Sequence, residues 1–184
     1  MENMTMIMVV LIVILVFVPI IWWISTSNGF KRKSIKISEA LSGIEVALTK
    51  RYDMLTKLLD VAKAYITHEE ELFTQVIRLR KGMTVEEINE KNAQIDSLGA
   101  KIFAVAEQYP QLRSAEVFCE LQAGVRDAEE HLQAARRLYN SNVTAFNTAV
   151  DVFPSSIVAK SQNQSKFEFF MAEAAKKEDV KMSF

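Results

Sequence analysis

Hydrophobic and polar positions follow two regimes along the chain, one without polar interruption and one with a helical period. Residues 6–24, opening at Met6 and closing at Ile24, form an unbroken apolar run, and no charge stands between Met4 and Phe30. A helix crossing about 30 Å of hydrocarbon needs roughly 20 such residues. The run is therefore read as a transmembrane helix, with Trp22 and Trp23 at the level where amphipathic rings settle among headgroups. Ser25, Thr26, Ser27, Asn28 and Gly29 then make a short polar break.

Beyond the break the pattern turns periodic. Ile37, Leu41, Ile44, Leu48, Tyr52, Leu55, Leu59, Ala62 and Ile66 recur at spacings of three and four, the signature of one helical face. Glu39, Glu45, Lys50, Arg51, Asp53, Lys57, Asp60 and Lys63 fill the other positions, so this helix is amphipathic and needs partners. A shorter stretch with Leu72, Phe73, Val76, Ile77 and Leu79 ends at Lys81 and Gly82, where glycine suits a helix end. Thr67 with Glu70 permits a helix start there, though continuity through His68 is equally allowed.

Thr84 with Glu87 is a cleaner start signal, followed by Val85, Ile88, Ile95, Leu98, Ile102, Val105 and Tyr109. That helix is expected to stop at Tyr109, because the residue before Pro110 is pushed out of the helical region. The last long helix runs from about Ser114 to Pro154. Its seam is Phe118, Leu121, Val125, Ala128, Leu132, Ala135, Tyr139, Phe146, Val150 and Phe153, with Asn142 and Val143 in the one gap. Some 40 residues at 1.5 Å each reach roughly 60 Å, so the element must run along an equally long partner. The first periodic helix is the natural one, which predicts an all-α chain: an N-terminal transmembrane helix followed by an elongated antiparallel bundle of about four long helices.

The organisation is then a short amino end (1–5), the span (6–24), a basic juxtamembrane linker (25–33), the bundle (34–154) and a partly ordered tail (155–184). Phe167, Phe169, Phe170 and Met171 of that tail are candidates to dock on the bundle. A cleaved secretory signal is the competing reading of the amino end. It would want a basic n-region, whereas Glu2 is the one charge before the span and two tryptophans close it. Lys31, Arg32, Lys33 and Lys36 follow the span, so the positive-inside rule puts the short amino end outside and the helical part in the cytoplasm.

Composition narrows function mainly by exclusion. With 23 acidic and 22 basic residues, no net field recruits nucleic acid. The single cysteine, Cys119, cannot form an internal disulfide, and beside Phe118 it is expected to be a buried small thiol. Three prolines and five glycines suit long uninterrupted helices. A di-iron carboxylate site in a helical bundle needs two Glu-x-x-His pairs. The two histidines, His68 and His131, have Tyr65 and Ala128 at those positions.

Asp127 and His131 share a face four residues apart, but two ligands do not make a metal site. His68 heads the acidic cluster Glu69, Glu70 and Glu71, which would favour its protonated form. A helix-end or salt-partner role is the preferred reading there, with ligand or metal binding by His68 and Glu69 in a sensor or hydrolase as the alternative. No Gly-x-Ser-x-Gly elbow or glycine-rich phosphate loop occurs. Gly43, Gly99 and Gly124 sit inside helical patterns, where a missing side chain lets another backbone approach. The short basic clusters at 31–33, 78–81 and 136–137 are offset by acids, and the first suits a lipid-headgroup and topology signal. No catalytic, cofactor-binding or metal residue is assigned.

Four runs carry a resemblance to a known family: Ile44 through Leu55 with Arg51, Tyr52 and Asp53; Ala64 and Tyr65 with His68 and Glu69; Ala106 through Leu112; and Ala134 through Asn140 before Phe153 and Pro154. In this order and spacing the chain resembles the LemA family. The resemblance implies an antiparallel bundle of long helices behind a membrane segment, bacterial membership and no defined activity. Many members place a proline soon after the Arg-Tyr-Asp motif. This chain has Thr56 and Lys57 there, so a more continuous helix is expected.

Members that begin with a lipoprotein cysteine carry the domain on the far side of a membrane, which keeps an external helical domain as the alternative placement. Tyr52, Asp53, Arg136, Tyr139 and Asn140 are read as an interhelical network, since a seam tyrosine fills volume and ties its hydroxyl to a polar neighbour, with a binding site as the alternative. The reading that results is a membrane-anchored, non-enzymatic helical scaffold. Its expected partners are the bilayer, other envelope proteins or further copies of itself, and not nucleic acid.

Overall fold

The structure is a computed structural model that describes residues 2–65, 79 and 81–170. Helices α1 (Glu2–Lys63), α2 (Val85–Gln108), α3 (Pro110–Arg113), α4 (Glu116–Asp151) and α5 (Ser155–Ser161) make up the fold, with no strand among the described residues. The chain is all-α, and its described residues hold three long helices and two short ones. Apart from Leu79, the short periodic stretch expected around Leu72 lies outside the described residues.

Helix α1 differs from expectation in one respect: it runs without interruption through Ser25, Thr26, Ser27, Asn28 and Gly29. Ser, Thr and Asn each lower helix stability by well under 1 kcal/mol and glycine by about 1 kcal/mol, a penalty that tertiary contacts override. Those contacts are present, because Phe30 is buried and Ser27 Oγ accepts a hydrogen bond from Gln162 Nε2 at 2.6 Å. Thr56 and Lys57 also continue the helix, as the absence of a proline there predicts. Within α1, the side chains of the apolar stretch are exposed apart from the half-buried Trp22, and its most apolar window has none buried. By length and composition this helix can cross a membrane.

Helix α2 begins where Thr84 and Glu87 predict. Glu87 N donates to Thr84 Oγ1 at 3.2 Å, and Thr84 N donates to Glu87 Oε2 at 2.8 Å, closing both halves of a capping box. Met83 and Ile88, at the positions of a hydrophobic staple, are both buried. The helix ends at Gln108, one residue before Tyr109. Pro110 then opens α3 at its first position, where a missing N–H leaves no bond unmade. Helix α4 stops at Asp151, so Phe153 lies past its end and is 76% exposed instead of completing the seam.

The chain divides into two units, Met1–Ser38 with Ser141–Glu168, and Glu39–Asn140 with the end of the chain from Phe169. In the first unit α1 and α4 run antiparallel: Phe30 meets Phe146 edge-on at 5.6 Å, and Asn142 Nδ2 donates to Lys36 O at 3.1 Å. Ile37, Val143, Val158 and Ala159 complete its core.

In the second unit α4 again opposes α1, with Lys50 on Asp127 and Met54 against Gly124, while α2 runs parallel to α1. That parallel register is set by Glu45 beside Gly82, Arg51 beside Asn92 and Asp96, and Leu55 beside Gly99. Ile44, Leu48, Leu55, Leu58, Ile88, Ile95, Ile102, Phe118, Ala128 and Leu132 form its core. Gly99 and Gly124 face the side chains of Leu55 and Met54, and Gly43 faces open space, so none of the three admits a neighbouring backbone as expected.

Candidate functional site

The Arg-Tyr-Asp motif sends its outer two side chains to opposite surroundings. Arg51, whose side chain is 12% exposed, lies between α1, α2 and α4 in the second unit. Its Nη2 is 2.5 Å from Asp96 Oδ1, its Nη1 donates to Asn92 Oδ1 at 3.0 Å, and the same Nη1 is 3.1 Å from Glu129 Oε2. Asn92, buried to 3% exposure, donates onward to Asp96 Oδ2 at 3.0 Å, and Gln133 Nε2 donates to Glu129 Oε1 at 2.7 Å.

A guanidinium serves here because its planar fork reaches acceptors on two other helices at once. Glu129 Oε2 meets it as an ion pair outside hydrogen-bonding geometry, and Arg51 Nε has no hydrogen-bond partner among the described residues. Both carboxylates are thus engaged by Arg51, with Asn92 and Gln133 in support. The arrangement clamps three helices together.

Asp53, expected within an interhelical network, is exposed instead. It lines an open groove of about 530 Å³ along α1 with Glu45, Val46, Lys50, Met54 and Lys57. One turn of helix is about 3.6 residues, so Arg51 and Asp53 stand roughly 200° apart around α1, and only one of them can face the core. Tyr52 between them is half-buried. Glu45 turns inward at the end of the groove, where its Oε1 accepts from Gly82 N at 2.8 Å and Met83 N at 3.0 Å, fixing the entry to α2. Gly82 has φ +74°, a backbone that favours glycine.

Tyr139 and Asn140 hold the chain's last described residue. Phe170 packs edge-on against Tyr139 at 4.9 Å with the Arg136 guanidinium 5.9 Å from its ring centre. Asn140 Nδ2 donates to Phe170 O and Phe170 N donates to Asn140 Oδ1, both at 2.9 Å. The side-chain amide thereby satisfies both backbone groups of a residue outside regular structure.

The first unit repeats the device. Phe146 packs edge-on to Phe167 at 4.9 Å, Asn147 Nδ2 donates to Phe167 O at 2.9 Å, and Phe167 N donates to Asn147 Oδ1 at 3.0 Å. The aromatic-asparagine pairs at 139–140 and 146–147 are one heptad apart, a repeat visible in the sequence once it is sought.

Asp127 and His131 do meet, as their spacing predicts. His131 Nδ1 is 2.8 Å from Asp127 O and 3.4 Å from its Oδ1. Lys50 Nζ, however, donates to Asp127 Oδ2 at 2.7 Å and occupies the carboxylate with a positive charge. That hydrogen bond holds the Asp127 carboxyl below its ordinary value of 3.8, with the attraction of Lys50 and His131 in the same direction and partial desolvation opposing. No group of three His, Cys, Asp or Glu side chains suited to a metal occurs among the described residues. His68 and Glu69 lie outside them. Cys119 is exposed, contrary to expectation, its Sγ 3.4 Å from Arg113 O, because it follows Phe118 on the helix and turns away from the core that Phe118 enters.

The model of the LemA family matches residues 40–184. Protein LemA of Metamycoplasma hominis is 25% identical over 166 residues, covering 88% of this chain and 76% of that protein. Magnetosome protein MamQ of Magnetospirillum gryphiswaldense is 24% identical over 70 residues, 38% of this chain and 26% of its own length. The family match takes in the Arg51 clamp, all of α2 and α4 and both aromatic-asparagine pairs, and the chain belongs to the LemA family.

Proposed function

We propose that this LemA-family chain is a single-pass, membrane-anchored helical scaffold of the bacterial cell envelope, without enzymatic activity, that presents its helices to other envelope proteins or to further copies of itself. The observation that carries the proposal is helix α1. Its apolar residues 6–24 are exposed apart from the half-buried Trp22, from Met6 at 65% through Leu15 at 76% to Ile24 at 54%, and the same helix continues into the Arg51 clamp. A water-exposed rod of that composition is unfavourable by about 25 cal/mol for each Å² of apolar surface, which a bilayer relieves.

Lys31, Arg32, Lys33 and Lys36 favour a cytoplasmic placement of the helical part by the positive-inside rule. The bacterial sources of both relatives support a bacterial setting. Val46, Val117 and Leu138, at 68%, 54% and 58% exposure, are apolar positions open to a partner. The engagement of Arg51, Asp96 and Glu129 with one another favours scaffold over catalyst.

Photo-crosslinkers placed at Val46, Val117 and Leu138 in cells are expected to capture envelope proteins or a second copy of the chain. Cys119, the one cysteine and an exposed one, reports placement directly. A membrane-impermeant maleimide is expected to label it only after spheroplasts are opened. A membrane activity lost in His68→Ala or Glu69→Gln, with helicity and crosslinking unchanged, would replace the scaffold with a sensor or hydrolase.

A further inference from the structure

Immediately beyond the apolar stretch of α1, the first unit carries a basic groove. Gly29, Arg32, Lys33, Lys36, Asn142 and Ala145 line a depression of about 360 Å³ between α1 and α4. A second depression of about 270 Å³ shares Gly29 and Lys33 and adds the hydroxyl side chains Ser25, Thr26 and Ser155. Arg32, Lys33 and Lys36 form no ion pair among the described residues, whereas Lys166 of the same unit is held by Asp151 at 2.8 Å. The unit carries six basic against three acidic side chains, so the three cations face little opposing charge.

Position selects the ligand. Arg32 and Lys33 follow Ile24 by eight and nine residues, roughly 12–13 Å along the helix. Headgroups occupy about 5–8 Å beyond the hydrocarbon on each side, and long basic side chains reach back toward that level. Gly29 leaves room at the groove floor, since a Cβ built there meets nothing within 4 Å. We infer that this groove binds the phosphate of an anionic phospholipid, with Arg32, Lys33 and Lys36 supplying the charge and Ser25 and Thr26 supplying hydroxyl donors. The inference rests on the membrane-anchored reading of the chain. It goes beyond general attraction of basic residues to a negative surface because the cations line one concavity opened by glycine.

Trp22 and Trp23, the only tryptophans, close the apolar stretch and serve as native reporters. The full-length protein is reconstituted in neutral phosphatidylcholine containing brominated-chain phosphatidylglycerol or brominated-chain phosphatidylcholine, and tryptophan quenching is read at constant ionic strength. The anionic lipid is expected to quench preferentially. A basic side chain near an anionic surface is worth about fivefold in binding, so Arg32→Gln with Lys33→Gln and Lys36→Gln is expected to lower the preference at least fivefold.

Gly29→Leu on α1 and Ala145→Leu on α4 fill the groove without removing charge and are expected to lower it as well. Lys160→Gln with Lys166→Gln, outside the groove, is expected to leave it intact. Equal quenching by the two brominated lipids overturns this inference and spares the anchor, whereas no quenching by either overturns the anchor itself. Native preference in both groove-filled variants, with native helicity, reduces the effect to diffuse charge and overturns the built site. Loss of preference to millimolar inorganic phosphate, but not to chloride of equal ionic strength, assigns the groove to the free anion and overturns the lipid.

Discussion

At Arg51 a single side chain decides how three helices meet. Its guanidinium is largely desolvated, and removing it leaves Asp96, Glu129 and Asn92 without their common partner. Breaking a fully buried pair is worth about 3–5 kcal/mol, and water still reaches the carboxylates of Asp96 and Glu129, so Arg51→Ala is expected to destabilise by about 2–3 kcal/mol. Chemical denaturation of the intact protein in detergent measures it. Asp53→Ala, two residues away on the exposed face, is expected to change stability by no more than about 0.5 kcal/mol.

The Lys50 hydrogen bond lowers the Asp127 carboxyl pKa in the folded state. Its contribution is therefore present above the unfolded value near 3.8 and is lost as pH falls through the lower folded value. Asp127→Asn is expected to lose that contribution at neutral pH and to match the native protein below the folded value, so that the acid limb of its stability-against-pH profile is shallower.

The seam residues of α1 and α2 are legible in the sequence because apolar side chains recur at three and four. Asn92 escapes that pattern by being polar, although its place four after Ile88 and three before Ile95 is a seam position. A polar residue on an apolar seam is the available sign of the Arg51 clamp.

At the scale of elements, sequence signals hold where they act locally and fail where tertiary contacts override them. The capping box at Thr84 and the stop before Pro110 depend on neighbours within a few residues, and both stand in the structure. Residues 25–29 suggest a break because each is a weak helix former. Phe30 on Phe146 and Ser27 on Gln162 hold the helix through them, contacts more than 100 residues apart in sequence.

Two glycines separate these influences. Gly43 lies inside α1 with open space where a Cβ would stand, so Gly43→Ala is expected to stabilise by about 0.4–1 kcal/mol through helix propensity and the unfolded chain. Gly82 sits at φ +74°, so Gly82→Ala is expected to destabilise by about 1 kcal/mol, the opposite sign. Thermal melts of the two variants check the pair.

The asparagine clamps belong to this scale as well. Asn140→Ala removes two hydrogen bonds to Phe170 and Asn147→Ala two to Phe167, each variant losing about 1–3 kcal/mol. Amide exchange is expected to accelerate at Phe170 in the first variant and at Phe167 in the second.

For the whole molecule, the apolar opening of the chain and the helical period after it make the all-α class and the family resemblance legible from the residues alone. Which helices run parallel is not legible, because α1 and α4 share a long seam whose direction is apparent, whereas the parallel course of α2 depends on Glu45, Arg51 and Leu55 choosing partners across the fold. The basic groove is hidden for a related reason: Arg32, Lys33 and Lys36 are close in sequence, but Asn142 and Ala145 come from the far end of α4.

The functional account depends on residues 6–24 being buried in lipid. Alkaline carbonate extraction of membranes containing the full-length protein tests this most directly. Retention in the membrane pellet is the result expected, and release of the chain into the supernatant would contradict the account.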